Sequence, residues 1–375
     1  MPTKDLHEKP FTEESITKLE IFENYAKAWI PTFIMNKWCF EMNIFDFFAG
    51  TGYDKNGVPG SPIRILTQIA EQVGNIFKTK QRITVYLNEL DESKFELLKK
   101  SCSKFIEDNL ELRRCFDKKL LKIIYTNKGC EEVFDNYYEK MQKNPSLVYL
   151  DQNGVKFLAD KYFLRLIQCK QVDFLYFISS SYFIRFGKQE EFKNILYIDW
   201  ENAHRNPYRY IHQYILEKLR EKISTSNKTH LYPFTIKKGP NIYGIIFGAT
   251  HIRAVDKFLN ITWKENEING NANFDIDDDT LKNLQQEDLF GNKEYTKIQK
   301  FQNDIRAKVL DGILHTNKDV YIYSLEEGHI PKHAEEVLKE MKHQNMISYE
   351  GRTPLVNYNQ VIKNQRIISY EIVKK

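Results

Sequence analysis

The hydrophobic positions of the chain fall into two kinds of segment, which alternate along much of its length. Short apolar runs such as 43–48 and 147–151 predict buried strands, because a strand of a parallel sheet is covered on both faces. Between such runs, apolar residues recur every three or four positions, as in 92–105 and 155–168, which predicts amphipathic helices. Alternating strands and helices indicate an α/β fold built on a parallel sheet.

The predicted sheet ends in a hairpin. The apolar stretches 231–237 and 242–248 flank a Lys-Gly-Pro-Asn turn, which predicts an antiparallel pair. The other predicted strands cover 82–89, 119–126 and 172–179, and the other helices cover 17–33, 131–141, 208–223 and 251–263. These segments predict a first domain over residues 1–263.

The composition changes after this domain. Residues 264–297 contain few apolar residues and an Asp-Asp-Asp run, which predicts a polar connector. From residue 298 the helical periodicity returns, and a helix, a short strand, two further helices and a hairpin predict a small winged-helix domain over 298–375. Its last helix mixes bases and acids, which argues against strong phosphate binding: Lys332, His333, Lys339 and Lys342 alternate with Glu335, Glu336 and Glu340.

A pair of glycines follows the first strand and precedes a helix. Gly50 and Gly52 let the backbone turn sharply and let a ligand approach the main chain, so the corner is typical of nucleotide-binding sheets. The third glycine of a dinucleotide fingerprint is missing, and so is the Gly-Lys-Ser/Thr of a phosphate loop. The alternative is an ordinary tight turn between a strand and a helix.

Polar side chains are predicted at the ends of the next strands. Glu89 ends the strand 82–89, where a carboxylate can accept hydrogen bonds from both hydroxyls of a ribose. The alternative for Glu89 is a solvated strand end. Asp151 ends the fourth strand, and it is a candidate both for an active site and for a cap of the helix after it.

Length and composition limit the classes of protein to which this chain can belong. The chain has 375 residues, a net charge of +4 and ordinary globular composition, so nucleic-acid binding is permitted but not indicated. Its five cysteines contain no Cys-x-x-Cys pair, and we predict neither a metal site nor a disulfide framework. No signal peptide or membrane span is visible, so we expect a cytoplasmic protein that does not associate with a membrane.

The stretch Asp-Phe-Phe-Ala-Gly-Thr-Gly at 46–52 resembles motif I of S-adenosylmethionine-dependent methyltransferases. The resemblance implies a doubly wound, Rossmann-like sheet of the class I methyltransferase type and S-adenosylmethionine as the cofactor. It assigns roles to eight positions. The methionine part of the cofactor would lie against Asp46, Ala49, Gly50, Thr51 and Gly52, the ribose at Glu89, the adenine amine at Asn127 and the transferred methyl group at Asp151.

Several separate stretches also resemble one family, the three-Cys-motif partner proteins, often called TcmP. The matching pieces are 45–52, 60–62, 88–89, 150–154, 270–274 and 328–338. The family commonly has Asp-Pro-Phe-Gly where this chain has Asp151-Gln-Asn-Gly154. The resemblance implies a partner, a radical-SAM-like protein with a three-cysteine motif, but it implies no reaction.

Two functions of different classes follow. The first is a methyltransferase that acts on nucleic acid, with the winged helix presenting the substrate. The second is a non-catalytic binding module that uses the same fold to serve a partner protein or a nucleic acid, and the altered loop at Asp151 favours it. A nicotinamide-dependent enzyme is a poorer third option, because the third glycine is missing.

Overall fold

One seven-stranded sheet organises the first part of the computed structural model. Its strands are β1 Glu41–Asp46, β2 Arg82–Asn88, β3 Leu121–Thr126, β4 Ser146–Leu150, β5 Val172–Ser179, β6 His230–Lys238 and β7 Asn241–Ala249. The order is β3-β2-β1-β4-β5-β7-β6, with β1 to β5 parallel and β7 antiparallel to both of its neighbours. The predicted doubly wound sheet and its closing hairpin are therefore confirmed.

The structure describes residues 10–151, 155–179, 207–238, 241–284 and 294–373. The chain divides into two units, residues 1–251 and 252–375. The helices described in the first unit are α1 Glu13–Ile34, α2 Ser61–Ala70, α3 Val73–Thr79, α4 Glu92–Asp108, α5 Leu110–Asp117, α6 Cys130–Lys143, α7 Asp160–Gln168 and α8 Pro207–Glu221. Among the described residues, no helix is both long and apolar enough to cross a bilayer.

Helix α1 packs on one face of the sheet. The ring of Phe22 stacks on Tyr149 of β4, with 4.0 Å between the ring centroids. The hydroxyl of Tyr25 donates to Asp173 of β5 at 2.6 Å. Because both side chains are buried, α1 is a core element of the first unit, and the Tyr25–Asp173 bond fixes its position along the sheet.

The other face of the sheet carries the larger aromatic core. Buried rings from several elements pack together there: Phe47 just after β1, Phe134 on α6, Phe157 and Phe163 after β4, and Phe174 on β5. The predicted helix 155–168 is split into a short 3₁₀ turn, Lys156–Leu158, and α7. This core places the carboxyl ends of β1 and β4 next to each other, since Asp46 is in register with Tyr149.

The second unit contains a winged helix. Its helices are α9 Ile252–Glu265, α10 Asp279–Leu284, α11 Lys297–Leu310, α12 Asn317–Glu326 and α13 Pro331–His343, and its strands are β8 Ile347–Ser348 and β9 Glu371–Ile372. Capping boxes start α11 at Thr296 and α12 at Thr316. The short strand predicted between the helices is only an isolated bridge from Thr316 to Ser369. Helices α11 to α13 with the β8–β9 pair form the expected three helices and wing.

The predicted connector is folded over much of its described length. Ala272, Ile276 and the side chains of Asn269 and Asp279 are buried. The amide of Asn269 donates to Asp277 at 2.6 Å, and the Asp279 carboxylate accepts from the backbone of Lys297 at 3.1 Å. Sequence periodicity missed this packing, because polar side chains that bond to each other make much of it. The division of the chain also places α9 in the second unit, whereas the sequence predicted it to close the first domain.

Candidate functional site

The crevice at the carboxyl edge of the sheet lies between β1 and β4. The chain runs from β1 outward to β2 and β3, then returns to β4 on the other side of β1. In doubly wound sheets, ligands bind in the crevice where the strand order reverses in this way. The glycine turn after Asp46 and the predicted catalytic Asp151 both follow strands that border this crevice.

The glycine turn has the backbone that its sequence requires. Gly50 and Gly52 have φ angles of +64° and +88°, which residues other than glycine rarely adopt. A Cβ atom on Gly52 would lie 2.8 Å from the Cβ of Ser101 on α4. The Ser101 hydroxyl also donates to the carbonyl of Thr51 at 2.9 Å. Space and backbone angle both require glycine at position 52, and α4 holds the turn in place.

Asp46 is buried directly beneath the turn. Its two carboxylate oxygens accept from the backbone of Phe48 at 3.1 Å and from the Ser61 hydroxyl at 2.5 Å. Burial raises the pKa of Asp46 to about 7, although both hydrogen bonds act to lower it. Because Ser61 is the first residue of α2, Asp46 connects the end of β1 to the start of the next helix. It supports the turn from below and is only 1% exposed.

Glu89, just after β2, bonds to the glycine turn, and Asn127, just after β3, bonds to the segment that carries Glu89. One oxygen of Glu89 accepts from the backbone of Gly50 at 3.0 Å, and the other accepts from Asp91 at 2.9 Å. The Asn127 amide donates to the carbonyls of Glu89 and Leu90 at 2.7 and 2.9 Å. Each carboxylate oxygen has a second lone pair, and Asn127 still has its carbonyl oxygen. The half-buried Glu89 and the exposed Asn127 can therefore accept hydrogen bonds from a ligand.

Asp151 forms an ion pair with α1. The Lys18 ammonium donates to its carboxylate and lies 4.2 Å from the centre of the Phe177 ring. The helix-cap alternative for Asp151 is wrong, because the 3₁₀ turn and α7 begin after Val155 and Ala159 without a side-chain cap. Residues 152–154, which complete the predicted loop, lie outside the described part of the chain.

The loop between the glycine turn and α2 folds back on the turn. The carboxylate of Asp54 accepts from the backbone of Asn56 and Val58, both at 2.8 Å, and from Phe11 at 2.7 Å. The backbone of Gly60 donates to the carbonyl of Gly52 at 2.8 Å. The loop is thus ordered beside the turn, and the start of the described chain is tied to it.

The structure brings most of the predicted site residues together. The glycine turn, Ala49, Glu89 and Asn127 form one continuous hydrogen-bonded group, since Ala49 donates to the carbonyl of Asn88 at 2.9 Å. Sequence reasoning missed Lys18, Ser61 and Ser101, which support Asp151, Asp46 and the turn. Only Ser61 had a signal, because it lies in the Gly-Ser-Pro stretch that starts α2.

A second group of polar and titratable side chains lies within the second unit. We call it the tryptophan cluster, and its members are Trp263, Gly270, Lys297, His329 and His333. The Trp263 indole donates to the carbonyl of Gly328 at 2.9 Å, and a Cβ on Gly270 would lie 2.4 Å from the Trp263 ring. The Nδ1 atoms of His329 and His333 are 3.1 Å apart, so one imidazole donates to the other. Two of the stretches that resemble the three-Cys-motif partner proteins, 270–274 and 328–338, meet in this cluster.

Burial controls the titration of this cluster. It lowers the pKa of His329 to about 2 and that of His333 to about 4, and the nearby Lys297 adds to both shifts. Burial also lowers the pKa of Lys297 to about 7, against the opposing effect of Asp277 and Asp279. The Lys297 ammonium donates to the carbonyl of Asn269 at 2.9 Å. The donors and acceptors of the cluster are directed at each other, as in a structural core.

Helix α13 presents few free cations. Lys339 lies 3.4 Å from Glu335, and Arg306 of α11 pairs with Glu340 at 2.8 Å. The Lys342 ammonium donates to two carbonyls of the wing, those of Tyr349 and Gly351. His333, expected on the presented face, is only 7% exposed.

Comparison with known proteins supports the fold of the second unit. Residues 275–354 match the family model of the GMT-like wHTH domain, a winged helix-turn-helix. A putative O-methyltransferase from Klebsiella pneumoniae is similar in structure, at 7% identity and a TM-score of 0.33 over 64% of this chain and 90% of that chain. No curated protein matches the sequence. The family model confirms the winged helix, and the strand order carries the methyltransferase-like assignment of the sheet.

Proposed function

We propose that this chain binds S-adenosylmethionine at the carboxyl edge of its sheet and transfers the methyl group to nucleic acid. One observation carries the proposal: the Glu89 carboxylate accepts from the backbone of Gly50, so the residue proposed to bind the ribose is hydrogen-bonded to the glycine turn. Gly50, Thr51 and Gly52 would lie against the methionine part. Glu89 would accept from the ribose, and the carbonyl oxygen of Asn127 would accept from the adenine amine.

The charges around the crevice suit a cationic cofactor. When bound, S-adenosylmethionine supplies an electrophilic methyl group on a positively charged sulfur. Asp151 provides negative charge at the crevice, and Lys18 offsets part of it. Methyl transfer depends mainly on alignment of the acceptor with the methyl group, so a rigid turn and one positioned base are sufficient.

Asp151 is the proposed base. Its carboxylate would accept the proton that the nucleic-acid acceptor releases when its bond to the methyl carbon replaces the carbon–sulfur bond, with S-adenosylhomocysteine as the leaving group. Lys18 holds this carboxylate in place, and an incoming acceptor would share it with the ammonium. Asp151→Asn keeps the shape of the side chain but removes its basicity. Transfer to bulk single-stranded DNA or RNA should fall by about two to four orders of magnitude, while cofactor binding stays nearly unchanged.

Calorimetry with S-adenosylhomocysteine tests the cofactor site without an acceptor. We expect the wild-type chain to bind, and Glu89→Gln to weaken binding by about tenfold or more, because a hydrogen bond to a charged acceptor is lost. Glu107→Gln, on the exposed end of α4, makes the same chemical change away from the site and should leave affinity unaltered. No heat of binding at millimolar ligand would refute the proposal.

The second candidate is a non-catalytic module that works with a three-Cys-motif, radical-SAM-like partner. The paired charges of α13 favour it, because a recognition helix with so few free cations binds phosphates weakly. The departure at Gln152 and Asn153 from the family loop also favours it. Binding of S-adenosylhomocysteine without methyl transfer to DNA or RNA would select this candidate.

A further inference from the structure

The amino edge of the sheet, opposite the proposed cofactor site, carries exposed rings beside exposed cations. Trp38 is 90% exposed and Phe40 is 74% exposed, in the turn that joins α1 to β1. Lys37 lies between these two rings and the end of α1, and Arg82 is the first residue of β2. We call this region the amino-edge surface and define it by Lys37, Trp38, Phe40, Lys80, Arg82 and Lys119.

The two rings are held outward by a well-bonded turn. The amide of Gln81 donates to three carbonyls of the turn, those of Phe33, Asn36 and Cys39. The backbone of Trp38 donates to the Asn36 side chain at 3.0 Å. Gln81 itself is only 4% exposed, so the turn is fixed from inside the protein. A ligand would therefore meet two rings that are carried on a fixed backbone turn, which lowers the entropic cost of ordering the turn on binding.

Backbone hydrogen bonds place the cations in a row that starts at these rings. Arg82 donates to the carbonyl of Phe40 at 3.1 Å, and its neighbour Ile83 donates to Leu120 at 2.8 Å. Lys119 precedes Leu120, and Lys80 precedes Arg82 by two residues. Neighbouring strands are about 4.8 Å apart, so the positive charges follow the edge away from the rings.

The cations of this surface are available to a partner. Within the described residues, Lys37, Lys80, Arg82 and Lys119 are exposed and take part in no ion pair. Two carboxylates lie nearby. Glu41 is half-buried and accepts from the Thr84 hydroxyl at 3.4 Å, and Asp117 ends α5. The bases outnumber these acids, so the surface is positive.

We propose that the amino-edge surface binds single-stranded nucleic acid. Trp38 and Phe40 would stack on bases, and Lys80, Arg82 and Lys119 would contact successive phosphates. Exposed rings beside a line of cations are the combination by which proteins hold single strands without reading their sequence. Lipid would favour cations around the rings, whereas here Lys80, Arg82 and Lys119 lead away to one side. The inference deepens the nucleic-acid part of the proposed function, but its test needs no cofactor.

The surface would act as an anchor at a distance from the chemistry. A strand of six residues such as β1 spans about 20 Å, so the rings lie about that far from the glycine turn. A bound strand would have to pass around the domain to reach the crevice. The proposal therefore predicts that the anchor changes affinity for nucleic acid and leaves the binding of S-adenosylhomocysteine unchanged.

Fluorescence anisotropy with a labelled single strand of about 12 nucleotides, as DNA and as RNA, tests the proposal on the full chain. Trp38→Ala with Phe40→Ala should weaken binding by about tenfold or more, with an unchanged dependence on salt. Lys80→Ala with Arg82→Ala should reduce the slope of log affinity against log salt by about 1.4, because two phosphate contacts are lost. These side chains are exposed, so the variants should keep the melting temperature of the wild type.

Matched controls lie on the exposed face of α4. Leu97→Ala removes an apolar side chain that is 51% exposed, and Lys104→Ala removes an exposed cation. Neither should change the affinity or the salt slope. The proposal is overturned if the oligonucleotide does not bind, or if it binds the ring variant as tightly as the wild type. Binding to phosphatidylserine vesicles that requires the rings, or a dimer that the ring variant dissociates, would assign the surface to lipid or to a second copy instead.

Discussion

The glycine turn of the first unit and the tryptophan cluster of the second use the same local device. In both, a glycine with positive φ leaves space that another side chain fills: Ser101 beside Gly52, and the Trp263 ring beside Gly270. The surroundings differ. Glu89 and Asn127 at the turn keep acceptor atoms near solvent, whereas the histidines of the cluster are buried and bond to each other. The first arrangement can receive a ligand, and the second serves stability.

The two regions also respond to protons in opposite ways. Asp46 has a raised pKa, so its stabilising contribution is present below its unfolded pKa of about 4 and is lost as the pH rises toward 7. His333 has a lowered pKa, so its contribution is present above about 6.5 and is lost as the pH falls toward 4. Perturbed titration alone therefore does not mark a functional site, and access to solvent must be considered with it.

Removing the central ring of the cluster should have the largest effect. Trp263→Ala leaves a cavity and an unpaired carbonyl on Gly328, so we expect a loss of about 3–5 kcal/mol in the free energy of unfolding. Trp38→Ala removes the same side chain from an exposed turn and should cost less than about 0.5 kcal/mol. Urea denaturation measures both values, and equal losses would show that the cluster is not a core.

A side chain at the glycine turn should cost less stability but more function. Gly52→Ala combines an unfavourable φ with a collision at Ser101, and we expect about 2–4 kcal/mol of destabilisation and no binding of S-adenosylhomocysteine. Gly57→Ala is the matched control, because Gly57 has a φ of +78° with no atom near its missing Cβ. It should cost about 1–2 kcal/mol and leave binding intact. Binding that survives in Gly52→Ala would argue against the turn as the cofactor site.

The smallest effects should appear in the pH dependence. Between about pH 6 and pH 4, His333→Asn should make stability fall less steeply on acidification, by up to about 1.4 kcal/mol per pH unit. Asp46→Asn should make it fall more steeply. Each substitution also alters packing and therefore the free energy of unfolding itself. The comparison is therefore between the slopes of that free energy against pH. Slopes that shift in the same direction for His333→Asn and Asp46→Asn would contradict the opposed titration of the two regions.

Much of the first unit followed from local pattern. The apolar runs at 43–48 and 172–179 are strands because they can be buried only within a sheet, and Gly50 and Gly52 require the turn after the first of them. The C-terminal winged helix was also predictable, since its apolar positions recur with helical period. The folded segment around Asn269 was not, because its buried groups are polar and bond to partners distant in sequence.

The sequence alone thus established the order of the strands and helices, the turn that only glycine can form, and the residue types at the carboxyl ends of the strands. The tertiary structure decided which of those residues meet. Lys18 reaches Asp151 across 133 positions, and Gly50 reaches Glu89 across 39. Local sequence does not predict such pairs. Hydrophobic periodicity indicates which face of an element is buried, but not which charged side chain of another element will contact it. The roles of Asp151 and Glu89 therefore depend on packing that only the folded chain defines.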